Sequence, residues 1–180
     1  KAKREGRLYS SKAPLQSLIG VPAHAIGVPL LRTLGLPVDA RHVTHVLRVF
    51  GSALFGIGFA WVLLAWSRRR AAELGAPRQL GTAVGLSMAL GTMLYPFSLL
   101  FTGHLLAAVA AGGSYLCAVG LARAAVGTPR FKLLGVLCGL AAGAAPFAEY
   151  PAALVALPAL LGALALTPGW LWRVQLVGWF

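Results

Sequence analysis

The run VFGSALFGIGFAWVLLAWS, Val49 to Ser67, decides the fold. It holds no formal charge, and it is closed by Arg48 on one side and by Arg68, Arg69 and Arg70 on the other. Its length suits one membrane-crossing helix, which takes about 20 apolar residues. The same texture repeats outward from it. Between Arg78 and Arg123 no Asp, Glu, Lys or Arg occurs. That stretch is too long for one crossing and fits two, with the break at Tyr95-Pro96 to Gly103-His104, where proline, glycine and histidine cluster. Between Lys132 and Arg173 the same reasoning gives two more crossings, separated at Glu149-Tyr150-Pro151. Val174 to Phe180 reads as the start of a further helix. The spans are therefore expected at 47–67, 80–100, 104–122, 132–148 and 151–167. The fold class is all-α: a polytopic integral membrane protein with about five transmembrane helices, each as long as the hydrocarbon core demands.

Composition agrees. The chain has 180 residues, of which 58% are hydrophobic and only 11% charged, with a mean hydropathy of +0.78. A soluble domain carries about 25% charged residues, so this one lacks the polar surface to cover itself in water. The net charge of +12 comes from 16 Lys and Arg against four acids, Glu5, Asp39, Glu73 and Glu149. Most of that charge flanks the apolar runs, where topology and anionic headgroups explain it, and no basic-aromatic module points to nucleic acid. Cys117 and Cys138 lie inside apolar runs without a CxxC spacing. The start at Lys1 and the stop at Phe180 within an apolar run lead us to expect a fragment of a longer chain.

The first segment reads differently. Ala13 to Leu31 is uncharged but holds Pro14, Pro22 and Pro29, with His24 among them. Proline at that density disfavours a clean spanning helix, so residues 1–45 are expected to be an outer loop with short interfacial helices anchored by Tyr9, followed by a polar loop from Arg32 to His45. The alternative is that residues 13–31 span. Orientation follows from Lys and Arg in the short loops. Arg68 to Arg78, Arg123 to Lys132 and Arg173 recur every second crossing and should face the cytoplasm. Tyr95 to His104 and Phe147 to Pro151 contain no Lys or Arg and should face outward.

That threading brings Lys12, Asp39, His42, His45, His104 and Glu149 toward one outer face. Glu149 is the most informative, because a carboxylate at the centre of a membrane helix costs about 2.5–3.5 kcal/mol on insertion scales. It reads either as a base, metal ligand or hydroxyl anchor, or as a helix-end residue at the interface before Pro151. His104 could hold phosphate, ligate a metal or move a proton, or be an interfacial histidine satisfied by a backbone carbonyl. His42 and His45 share a helix face. Two local ligands without an HExxH pattern define no metal site, and a solvated helix start before Arg48 is the better account of them. No cofactor is assigned, although a divalent metal is compatible with these groups. Lys12 could neutralise a lipid phosphate or simply snorkel; Arg41 and Arg48 offer the same chemistry. No Gly-rich phosphate loop, GxSxG or close carboxylate pair is present, which argues against nucleotide-driven transport and serine hydrolysis.

Gly6-Arg7-Leu8-Tyr9-Ser10-Ser11-Lys12-Ala13-Pro14, followed by Gly20-Val21-Pro22, resembles the first outer loop of membrane glycosyltransferases of the GT-C fold. The branch is that of the protein O-mannosyltransferases, aminoarabinose transferases and RgtA/B/C/D-like enzymes (glycosyltransferase family 39-like). Gly91-Thr92-Met93-Leu94-Tyr95-Pro96 with Phe101-Thr102-Gly103-His104, and Gly139 to Gly143 with Glu149-Tyr150-Pro151 and Pro158, are similar to later parts of the same pattern. Leu15 departs from it, standing where glycine is frequent. The resemblance implies transfer of a sugar from a polyprenyl-phosphate carrier, with inversion, to a glycan, lipid or protein acceptor at the outer side of the bacterial cytoplasmic membrane. By that match Lys12, and with it Arg41, would hold carrier phosphate. His104, Glu149, Tyr150, His42 and His45 would line the cavity. The family's catalytic Asp precedes the Lys-containing element and is expected upstream of Lys1, so the fragment alone should be inactive. A transporter or flippase subunit is the rival reading, since transporters also place polar groups at helix breaks.

Overall fold

The computed structural model describes residues 2–4, 7–9 and 14–166. Glu5, Lys12 and the expected helix from Val174 lie outside the described residues. Apart from a hairpin of two three-residue strands, β1 (Ala2–Arg4) and β2 (Arg7–Tyr9), paired antiparallel with Ala2 opposite Tyr9, every described element is helical. The chain divides into two compact units, residues 16–105 and residues 106–180 with 1–15.

In the first of these, α1 (Leu15–Thr33) is one continuous helix. This corrects the expected series of short helices. Pro14 directly precedes the helix, where a missing N–H is harmless, and Pro22 and Pro29 lie on its exposed side. The buried stripe is Ala23, Gly27 and Leu31, one residue per turn, and Gly27 packs so tightly on Val46 that a Cβ would overlap it. The prolines thus interrupt hydrogen bonds only off the packed face. Gly35, at φ 67°, ends α1 in a Schellman turn, with Leu36 N–H reaching Leu31 O and Gly35 N–H reaching Arg32 O.

The polar loop expected from Arg32 to His45 is also shorter than anticipated. Asp39 caps α2 (Ala40–Arg48), accepting from His42 N–H at 2.9 Å. A π-helical turn, Val49–Ala53, then joins α2 to α3 (Leu54–Glu73). The result is a single helical run of 34 residues, Ala40–Glu73. At 1.5 Å per residue it is about 51 Å long. α3 ends at Gly75 (φ 68°) in a second Schellman turn.

The span expected at 80–100 is not one helix. α4 (Arg78–Leu90) stops at Gly91, and α5 (Leu94–Ser98) follows after a three-residue turn. The cause is local. A Cβ on Gly91 would sit 2.7 Å from Ser87 O, Thr92 Oγ1 turns back to Met88 O at 2.7 Å, and Pro96 has no N–H to continue the ladder. Even so, α4 and α5 together run antiparallel beside α3. Gly81 abuts Ser67 and Arg68, Gly85 abuts Leu64, and further along Ser98 abuts Gly56 and Phe101 abuts Gly51. Small residues at each approach let the backbones close up.

The other unit is a three-helix layer of α6 (Gly103–Leu121, whose first three residues belong to the preceding unit), α7 (Pro129–Ala148) and α8 (Ala153–Leu166). Thr128 Oγ1 caps α7 by accepting from Phe131 N–H, with Pro129 at the first helical position. Ala110, Ala111, Ala142, Ala145, Ala156 and Leu160 pack at one level, and Ala118, Leu121, Phe131, Cys138 and Ala163 at the other. The pairing of levels makes α7 antiparallel to both α6 and α8, and α6 parallel to α8. The core is alanine-rich, which lets the helix backbones approach closely.

Among the described residues, three helical runs are long and apolar enough to cross a membrane: Ala40–Glu73, Gly103–Leu121 and Pro129–Ala148. At 13 and 14 residues, α4 and α8 fall short of that length on their own.

Candidate functional site

The sequence-derived candidates fall into two groups, one in each unit. In residues 16–105 the polar groups gather at one end of α3. α2 extends the helical run beyond the apolar stretch, and it carries Arg41 and His45 exposed and His42 half-buried. The Asp39 carboxylate takes both the His42 backbone N–H and, at 2.8 Å, the His42 ring Nδ1. These two bonds, the backbone one first, hold the Asp39 carboxyl below its ordinary range. Asp39 and His42 therefore serve each other as a helix cap, and His45 is not drawn into the pair.

The connection from α5 to α6 packs against the π-helical turn. The Phe101 ring lies over Gly51 and Gly20, where a Cβ would stand 2.5 Å and 3.2 Å from it, and Leu47 borders the same spot. His104, exposed in the first turn of α6, sets its ring 4.9 Å from that of Phe97 at 54°. Two hydroxyls in these facing segments are buried and make no hydrogen bond among the described residues, Ser52 Oγ in the π-helical turn and Thr102 Oγ1 just before α6. A buried polar group without a partner costs about 1–3 kcal/mol, so both are poised to take a water or a ligand hydroxyl. π-Helical turns inside longer helices recur at functional sites.

This junction and the arginine turn stand at opposite ends of α3. At the far end Arg68 Nε donates to Thr82 Oγ1 at 3.0 Å, and Arg70 pairs with Glu73.

In the other unit, Glu149 ends α7. Its backbone is extended (φ −155°, ψ 130°), its N–H bonds Ala145 O, and its carbonyl accepts from Ala152 N–H across a 3-10 turn, Tyr150–Ala152. Glu149 is half-buried, and Tyr150 is 65% exposed. This turn lies at the end of the layer opposite the Arg123–Lys132 turn, as the two packing levels require.

Among the described residues no three His, Cys, Asp or Glu side chains gather as metal ligands. Lys12 lies outside the described residues. Ser52, Thr102 and Phe101 were not singled out as site residues from the sequence. The Gly51-Ser52 pair inside an apolar run was the one signal of a helix irregularity there. No protein-family model, curated protein or solved structure matches the chain.

Proposed function

We propose that the chain is part of a GT-C-type glycosyltransferase that moves a sugar from a polyprenyl-phosphate carrier to an acceptor outside the cytoplasmic membrane. In this reading Ala40–Glu73, α6 and α7 each cross, the α4–α5 pair makes one interrupted crossing, and α8 makes another, about five in all at the spacing a bilayer imposes. The α4–α5 pair keeps pace with α3 from Arg68 to Gly51, 17 residues or about 26 Å, so the two short helices together do the work of one long one.

The observation that carries the reading is the polar junction at the end of α3 away from the arginine turn. The positive-inside bias puts the arginines in the cytoplasm, so α2, Phe97 to His104 and the two buried hydroxyls face outward. Sugar hydroxyls are the ligand chemistry that buried, unsatisfied hydroxyls fit best. Arg41 supplies a cation farther out on α2, at the same end of the helical run, and the family resemblance adds Lys12 for carrier phosphate and Glu149 with Tyr150 on the same outer side.

The test uses the full-length protein in membrane vesicles with a labelled polyprenyl-phosphate sugar. Lys12→Ala and Glu149→Gln are expected to abolish transfer to acceptor while the protein accumulates normally. Normal transfer by both variants would remove the support for these sites.

A second reading, a transporter or flippase subunit, is favoured by one observation. The turn at residues 91–93 lies between the levels where Gly85 meets Leu64 and Ser98 meets Gly56. That is the middle of the apolar run, where transporters break their helices. Vesicles that accumulate a solute but never transfer a sugar would select this reading.

A further inference from the structure

The face of the α6–α8 layer between those two parallel helices is a groove of about 640 Å³. Tyr115 and Val119 of α6 and Leu154 and Pro158 of α8 form its walls, and Gly162 and Arg123 stand at one end. Leu154 is 77% exposed, and a Cβ added at Gly162 would meet nothing within 4 Å. The groove is thus open and apolar along its length, with a guanidinium at its mouth.

We propose that this groove holds one acyl chain of an anionic phospholipid, with the headgroup phosphate at Arg123. Three observations commit the site to that occupant. First, the groove runs from Tyr115 of α6 to Arg123 just past its end, eight residue steps or about 12 Å. A further crossing helix would need about 30 Å and would leave most of its length without this support, whereas a chain held by one leaflet needs no more. Second, the mouth is cationic. Arg123 stands there, and the connection it begins, up to α7 at Pro129, contains no Asp or Glu, so a phosphate is matched there and an apolar helix is not. An arginine offers five donors in a planar fork suited to phosphate oxygens. Third, the positive-inside bias puts this turn at the cytoplasmic leaflet, where anionic lipids concentrate. The inference rests on the membrane-spanning reading and is independent of sugar transfer.

The experiment compares the full-length protein in nanodiscs of phosphatidylcholine and of phosphatidylcholine with phosphatidylglycerol, reading the thermal midpoint and the number of phospholipids retained on transfer to detergent. The wild type should gain thermal stability with phosphatidylglycerol and retain it preferentially. Arg123→Ala should lose about fivefold in that preference, the worth of one basic residue at an anionic surface. Gly162→Leu, which fills the groove, should lose retention of both lipids, and Arg130→Ala, outside the groove, should lose clearly less of the preference than Arg123→Ala. Inorganic phosphate alone should give no stabilisation. Equal response to the two lipids, unchanged selectivity in Arg123→Ala, or an Arg130→Ala variant as impaired as Arg123→Ala would overturn the proposal. Failure of the protein to float with vesicles of either composition would instead overturn the membrane reading beneath it.

Discussion

At the scale of single residues, Asp39 shows how much one side chain decides. Its carboxylate satisfies the first turn of α2, and the same bonds lower its proton affinity. A carboxyl with a depressed folded-state pKa stabilises above the unfolded value and ceases to do so as pH falls through the folded one. We therefore expect α2 to fray at acid pH, below the ordinary carboxylate range. Amide exchange at His42 and Val43 should accelerate there. Asp39→Asn, which keeps a capping oxygen, should abolish that acid step, and an unchanged acid step in Asp39→Asn would assign it elsewhere. Glycines offer a second contrast. A methyl at Gly85 would stand 2.5 Å from Ser67 Oγ and 2.8 Å from Leu64 Cα, whereas one at Gly58 meets nothing within 4 Å. Gly85→Ala should destabilise by about 1–3 kcal/mol through overpacking. Gly58→Ala should be neutral or stabilise by up to about 1 kcal/mol through helix propensity. Unfolding in mixed micelles measures both.

At the scale of elements, helices were legible wherever burying charge was the deciding cost, and less so where backbone detail was. The charge gaps located α3, α6 and α7, because a helix long and apolar enough to cross a membrane excludes Arg and Lys from its middle whatever the packing. The start of the long run at Ala40 was legible only in part: the His42–His45 spacing suggested a solvated helix start, while the Asp39 cap that sets it was not weighed. The prolines of α1 misled, since a propensity rule counts them without knowing which face they occupy. The Gly91-Thr92 break was missed for the opposite reason, as neither residue is by itself a strong helix terminator. Its cause is a back-bonding threonine and a proline four residues on. Combining Gly91→Ala, Thr92→Ala and Pro96→Ala should therefore fuse α4 and α5. Protection of amides 91–95 should rise at least about tenfold, as for residues moved from a turn into a hydrogen-bonded helix. Unchanged exchange would mean that packing against α3, not local chemistry, holds the break.

At the scale of the whole molecule, the candidate site was legible as a list of polar residues and not as an arrangement. His104 and Glu149 stand out in an apolar sequence because charge and imidazole are costly there. Ser52 and Thr102 do not, because a hydroxyl is inexpensive in a helix and becomes conspicuous only once it is seen to be buried without a hydrogen-bond partner among the described residues. The proposed lipid groove had no sequence signal at all, being made of ordinary apolar residues on two helices more than 30 positions apart in the chain. What unites these features in the proposed reading is the threading, which would put the arginine turns on one side of a membrane and the α2 and His104 rim on the other. Cysteine labelling in intact cells tests this directly, with Cys117 and Cys138 replaced and single cysteines placed at positions 42, 75, 104, 126 and 150. The account predicts that a membrane-impermeant reagent labels 42, 104 and 150 from outside, and labels 75 and 126 only after permeabilisation. Labelling of 104 and 75 from the same side, or of 104 and 150 from opposite sides, would contradict it.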